Sequence, residues 1–248
     1  MFKRRYKLYF KNVPKIDMFD EDIDPRTSYK AIYYNSHPTP KVLAECRNKY
    51  GLDRNGYVNY VVHQQTFQDM LTILIWHIIL DIQGKVLIYI GTNQAIEFVY
   101  NWIEENFPQL KGKVGIFTSI SEKSTKNEEL DKKIILSTTK SCGAAMDIAG
   151  LEETIVLAEP FKSPIIAKQT LGRTRAENTS YIELVDKGFF HIKKWADSKG
   201  PIFQKYATSY TTEAYNDFTI RQLVDKVEYE KTHGIEAIRY LDDKDKFK

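Results

Sequence analysis

Short, continuously apolar runs alternate along this chain with stretches patterned for helices, and that alternation most constrains its fold. The runs are KAIYY (30–34), KVLIYI (85–90), KVGIFT (113–118), KIILST (133–138), TIVLAE (154–159) and SYIELV (180–185). They are rich in β-branched and aromatic residues and do not alternate strictly with polar ones. This is the pattern of strands covered on both faces, as in a parallel sheet. Between them, NQAIEFVYNWIEEN (93–106) spaces Ile96, Val99, Tyr100 and Ile103 along one helical face. TFQDMLTILIWHIIL (66–80) reads as a long buried helix, and shorter helices are expected at 41–49, 124–131 and 163–170. Strand and helix in turn imply βαβ crossovers and a three-layer α/β fold with a mainly parallel sheet.

The alternation divides the chain into a polar lead-in at 1–28, an α/β domain at 29–198 and a partly helical extension at 199–248. GLDRNGYVNY (51–60) reads as an irregular loop, because Gly and Asn punctuate it. From 199 the sequence turns polar and tyrosine-rich, and a helix is expected near 217–230. Tyr206, Tyr210 and Tyr215 of this tail are expected to pack or lie exposed rather than stack on bases.

With 42% hydrophobic residues the chain can build a core, and a net charge of +3 does not announce a nucleic-acid binder. The charge is unevenly spread. Lys3, Arg4, Arg5, Lys7 and Lys11 precede the acidic cluster Asp17, Asp20, Glu21, Asp22 and Asp24. Cys46 and Cys142 make no disulfide framework, and the five histidines show no ligand spacing, so no metal site is expected. No apolar run is long enough to span a bilayer, so no membrane partner is expected and the expected location is cytoplasmic, host cytoplasm for a viral protein.

In an open α/β sheet, ligands bind beyond the carboxyl ends of the strands. Gly91-Thr92-Asn93 follows the run at 85–90, where Thr92 or Asn93 can cap a helix whose first-turn N–H groups suit an anion. Thr118-Ser119 follows the next run. TTKSCGAAMDIAGL then offers Thr138, Thr139 and Ser141 as hydroxyl donors, with Gly143 for close approach and Asp147 before an apolar turn. After 154–159 and a helix comes QTLGRTR, with Gln169, Gly172, Arg173 and Arg175. Each piece alone is equally compatible with a cap or a solvated turn.

In this order the pieces resemble motifs IV, V and VI of the second RecA-like domain of superfamily 2 helicases. VLIYIGTNQAIEFVYNWI resembles motif IV, ILSTTKSCGAAMDIAGL motif V, and QTLGRTR motif VI. The resemblance covers about 82–186, and YYNSHPTPKVLAECRNKYGLDRNGYVNYVV is similar to the lead-in of UvsW-type phage helicases. It implies that Gln169 and Arg173 face a triphosphate beside Gly172, with Arg173 as the arginine finger, an element that offsets charge on a transferred phosphoryl group. Asp147 is implied at the interdomain cleft. Thr92, Asn93, Thr118, Thr138 and Thr139 are implied to meet the backbone of a tracked DNA strand. Arg175 stands one residue before the family's second arginine, a position held here by Ala176, and Ala145 replaces the motif V glycine.

An arginine finger needs a phosphate cradle, yet no Gly-x4-Gly-Lys-Ser/Thr pattern occurs; Gly84-Lys85 and Gly112-Lys113 both precede valine. FDED (19–22) follows no apolar strand and reads as a loop rather than a Walker B pair. ATP with Mg2+ is therefore expected to be held mainly by an N-terminal RecA-like partner domain, in cis or in trans. The chain alone is expected to be inactive. The alternative is a non-catalytic nucleic-acid-binding module using the same threonines and arginines. A transferase on a Rossmann-like sheet lacks both the glycine fingerprint and an acid–base constellation.

Overall fold

The structure, a computed structural model, describes residues 26–119, 126–142, 148–171 and 178–234. Its strands are β1 (Thr27–Tyr34), β2 (Arg47–Asn48), β3 (Gly51–Leu52), β4 (Lys85–Ile90), β5 (Val114–Phe117), β6 (Ile134–Ser137), β7 (Leu151–Ala158), β8 (Thr179–Asp186) and β9 (Tyr210–Ala214). The helices are α1 (Pro40–Glu45), α2 (Arg54–Val61), α3 (Gln65–Asp81), α4 (Asn93–Asn106), α5 (Lys126–Leu130), α6 (Pro164–Leu171), α7 (Phe190–Tyr206) and α8 (Asp217–His233).

Seven strands form one sheet in the order β5-β6-β4-β7-β8-β1-β9, every neighbouring pair parallel, while β2 and β3 make a separate antiparallel hairpin. All six apolar runs are strands of this sheet. Register sorts their side chains: Ser28, Ser180, Glu153 and Val86 lie in one row across four strands and so share a face. That face meets α3, whose His77 reaches Glu153. Tyr29, Tyr181 and Glu183 point to the opposite face, where Tyr29 stacks on Phe203 of α7 and Tyr181 meets Thr170 of α6. Helices on both faces make the three-layer α/β sandwich expected from the alternation.

Helix α3 is apolar nearly all round, burying Phe67, Met70, Leu71, Leu74, Ile75 and Ile78. It can be so because α8 packs against its outer side. Trp76 of α3 donates its indole N–H to Glu230 of α8. Among the described residues, no helix is long and apolar enough to cross a membrane.

Two stretches depart from expectation. Residues 54–61 form α2 rather than a loop, burying Tyr57, Val58 and Val61; burial of three large apolar side chains outweighs the roughly 1 kcal/mol helix penalty of Gly56. The expected helix at 41–49 stops at Glu45, and Arg47–Asn48 instead pairs with Gly51–Leu52. Further on, α7 runs unbroken through Gly200 and Pro201, and β9 then pairs with β1. Pro201 lacks an N–H, so the Asp197 carbonyl has no helical donor from it.

Candidate functional site

Because the whole sheet is parallel, the carboxyl ends of its strands emerge along one edge. Gly91–Asn93, Thr118–Ser119, Thr138–Ser141 and Glu159 all leave the sheet there. Gly91 is required by space: a Cβ would lie 2.9 Å from Val58 Cγ2 and 3.1 Å from the Ala158 carbonyl oxygen. That contact seats α2 directly over the end of β4.

Thr92 is the N-cap of α4. Its Oγ1 accepts from Ala95 N at 3.2 Å and donates to Asn59 Oδ1 of α2 at 2.8 Å, while Asn59 donates to Gln94. A threonine has one hydroxyl proton. Here it is committed to Asn59, so a phosphate accepting from Thr92 has to displace that bond. Asn93 and Gln94 begin the helix, and their first-turn N–H groups precede the capped one.

Thr118 and Thr138 sit at neighbouring strand ends that are tied together. Ser141 Oγ accepts from Ser119 N and from Thr138 Oγ1, both at 3.0 Å, and Ser141 N donates back to Thr138 Oγ1 at 3.1 Å. Thr118 and Thr139 are buried, Thr138 half-buried. The loop is thus organised by its own hydroxyls before any ligand arrives.

The edge also holds groups that the sequence did not single out. Glu159, directly after β7, is buried and pairs with Arg54 of α2 at 3.0 Å, while Thr139 N donates to its other oxygen at 3.4 Å. Burial pushes the Glu159 carboxyl above the usual carboxylate range, against the opposing pull of Arg54 and the Thr139 hydrogen bonds. Arg54, Asn55, Gly91, Thr138, Lys140 and Glu159 line a cleft of about 270 Å³. Its two cations, half-exposed Arg54 and exposed Lys140, suit an anionic chain running along the edge. Glu159 could have been found as the acid ending an apolar run. Arg54 could not, because it lay in a stretch read as a loop.

Beneath this cleft, on the α7 face, Glu183 accepts from Tyr29 at 2.8 Å and pairs with Lys199, both charged residues being almost wholly buried. Lys199 Nζ also lies 3.9 Å from the centroid of the Phe161 ring. This cluster fixes the segment leading from Glu159 toward α6. Gln169 is exposed near the end of α6. Asp147, Gly172, Arg173 and Arg175 lie outside the described residues. The tail tyrosines are structural: Tyr206 is buried, Tyr210 stacks on Tyr29, and Tyr215 donates to Glu213. Among the described residues, no group of three or more His, Cys, Asp or Glu side chains could hold a metal ion.

No protein-family model matches the sequence, and no curated protein matches it significantly. Solved structures do resemble the fold. T4 UvsW superposes with a TM-score of 0.56 at 10% identity, covering 77% of this chain and 42% of that one. The E. coli DEAD-box protein SrmB, bound to regulator of ribonuclease activity A, gives 0.51 at 11% identity over 78% of this chain and 93% of that one. S. cerevisiae Dbp5 bound to RNA and ADP BeF3 gives 0.46 at 17% identity, over 80% and 45%. The chain thus spans less than half the length of UvsW and Dbp5. At such identities the likeness is one of fold, a three-layer RecA-like α/β fold with a parallel sheet.

Proposed function

We propose that this chain acts as the second motor lobe of an ATP-dependent superfamily 2 DNA helicase or translocase. Its carboxyl edge would hold the phosphodiester backbone of a strand, and Arg173 would act as the arginine finger toward a nucleotide held mainly by an N-terminal RecA-like domain. The observation that carries the reading is the edge itself: in a sheet of this fold, Arg54, Lys140 and the first-turn N–H groups of α4 gather where the motif-like segments end. Because the Thr92 and Thr138 protons are engaged internally, the cations and amides rather than these hydroxyls make the main phosphate contacts. Contacts of this kind position a strand without reading its sequence.

ATP with Mg2+ would supply the phosphoanhydride bond whose hydrolysis drives cleft opening and closing. Of the residues assigned to the triphosphate, Gln169 is described, and its exposure at the end of α6 leaves it accessible to a facing lobe. The side chain of Arg173, four residues on in sequence, would offset charge on the phosphates, with Gly172 and Arg175 as its neighbours in sequence. Asp147 would stand at the interdomain cleft.

The test is ATP hydrolysis by the purified chain with and without single-stranded DNA, beside DNA and RNA binding at several salt concentrations. Salt-sensitive binding without turnover is expected, with a steep negative slope of affinity against salt. DNA-stimulated turnover abolished by Arg173→Ala would mean that the chain carries a complete nucleotide site. A salt slope flattened by Arg173→Ala would instead favour the non-catalytic module, with that arginine on the strand.

A further inference from the structure

Two of the most exposed large hydrophobic side chains stand on one surface beside the carboxyl edge. Tyr50, 86% exposed, tips the β2–β3 hairpin, and Phe190, 67% exposed, opens α7. The two are joined through His191. Gly51 adopts a φ of +117°, and a Cβ there would lie 3.6 Å from His191 Nε2, so the hairpin rests on the first turn of α7. Phe190 and His191 meet edge to face at 5.7 Å between ring centroids, and His191 meets Trp195 at 6.2 Å. The hairpin tip is held in shape, with Asn48 Oδ1 accepting from Tyr50 N at 2.9 Å.

Cations interleave these rings. Lys49 Nζ lies 4.9 Å from the Tyr50 ring centroid and Lys194 Nζ 5.9 Å from that of Phe190. Arg47 and Lys187 are exposed nearby in sequence, on the hairpin and just before α7. Lys193, by contrast, is engaged by Asp197 at 2.6 Å. Isolated exposed aromatics need no explanation, but a run of aromatic faces separated by exposed cations matches a chain of flat bases on phosphates. A hydrophobic protein partner would call for a larger apolar centre with charges at its rim. The surface is also continuous with the edge: Arg54 follows the hairpin by two residues, and α7 begins just beyond the carboxyl end of β8.

We propose that Tyr50 and Phe190 are stacking platforms for unpaired bases of a single-stranded polynucleotide, with Arg47, Lys49 and Lys194 holding its phosphates. This rests on the nucleic-acid reading above and adds that the chain grips bases as well as backbone. Neither rings nor phosphate contacts read the 2′-hydroxyl, so DNA and RNA are held alike.

Fluorescence anisotropy with three labelled probes of equal length tests this: oligothymidylate, oligouridylate and an abasic phosphodiester oligomer. The wild-type chain is expected to bind both base-bearing probes more tightly than the abasic one, by about 5- to 160-fold per stacked base. Tyr50→Ala and Phe190→Ala are each expected to lose one base's share of that advantage, and the double variant all of it, while binding the abasic probe unchanged, and Tyr50→Trp to keep it. Wild-type affinity of both alanine variants for oligothymidylate would overturn the stacking role while leaving the backbone reading intact. So would a strong preference between the thymidylate and uridylate probes. Failure of the wild-type chain to bind any of the three probes would overturn the backbone reading together with this one.

Discussion

Replacing Lys199 by methionine isolates the energetics of the buried pair beneath the candidate cleft. In the native chain the Glu183 carboxylate has two described partners, the Lys199 ammonium on one oxygen and the Tyr29 hydroxyl on the other at 2.8 Å. Glu183 is 5% exposed and Lys199 1%, so water cannot replace either partner without opening the core. Lys199→Met keeps most of the stem's packing but leaves a buried carboxylate with one neutral donor, and it removes the cation from the Phe161 face. Removing one member of such a pair costs about 3–5 kcal/mol. For a domain of this size, about 2–4 °C of Tm per kcal/mol translates that into a loss of roughly 6–20 °C. Removing the charge on the other side as well, in Lys199→Met/Glu183→Gln, is expected to recover most of the loss, because the uncompensated charge is the source of the cost. Urea titration followed by fluorescence of the three tryptophans, beside thermal circular dichroism, measures both variants. A single variant within about 1 kcal/mol of wild type would refute the argument. So would a double variant no more stable than the single one.

Other expectations concern the edge and the α3 face. Burial raises the Glu159 pKa, so its folded state favours the proton: its contribution is fully present below the unfolded carboxylate pKa and is lost as pH rises through the folded value. Glu159→Gln is therefore expected to be relatively more stable at neutral than at acid pH compared with wild type, and unfolding curves across that range check the sign. His77 behaves in the favourable sense. Its hydrogen bonds to Glu153 and to Asp81 raise its pKa above 6.5, so its stabilisation is complete below that value and fades as pH rises through the folded one. His77→Phe should then cost more stability near pH 6 than above pH 8, and an equal cost at both would refute the ion-pair role. Thr92→Val removes a helix cap and the bond to Asn59 together, an expected loss of about 1–2 kcal/mol. If Thr92 is chiefly structural, oligonucleotide affinity of the folded variant should change less than twofold.

The strand–helix order was legible from the chain alone because apolar periodicity is local. A run such as KVLIYI has to be covered on both faces wherever it lies, and 93–106 carries its own stripe and its own cap at Thr92. The parallel sheet follows from that pattern, and with it the single edge where Gly91–Asn93, Thr138–Ser141 and Glu159 gather. Pairings between distant residues were not legible. Arg54 and Glu159 are 105 positions apart, and α2 forms around Gly56 because Tyr57, Val58 and Val61 find a core to enter, a gain that no local propensity contains. Lys199 lies in a polar stretch that reads as surface, yet it is buried because the fold places Glu183 and the Phe161 ring beside it. Tyr210 lies in a polar, tyrosine-rich stretch, and only the pairing of β9 with β1 lays it against Tyr29. The chain's periodicity thus determined the six central strands, the long helices α3 and α4, and the single edge at which those strands end. Only the tertiary structure decided which charges meet, which aromatics stay exposed and which hydroxyls are already engaged, because those depend on desolvation by residues remote in sequence.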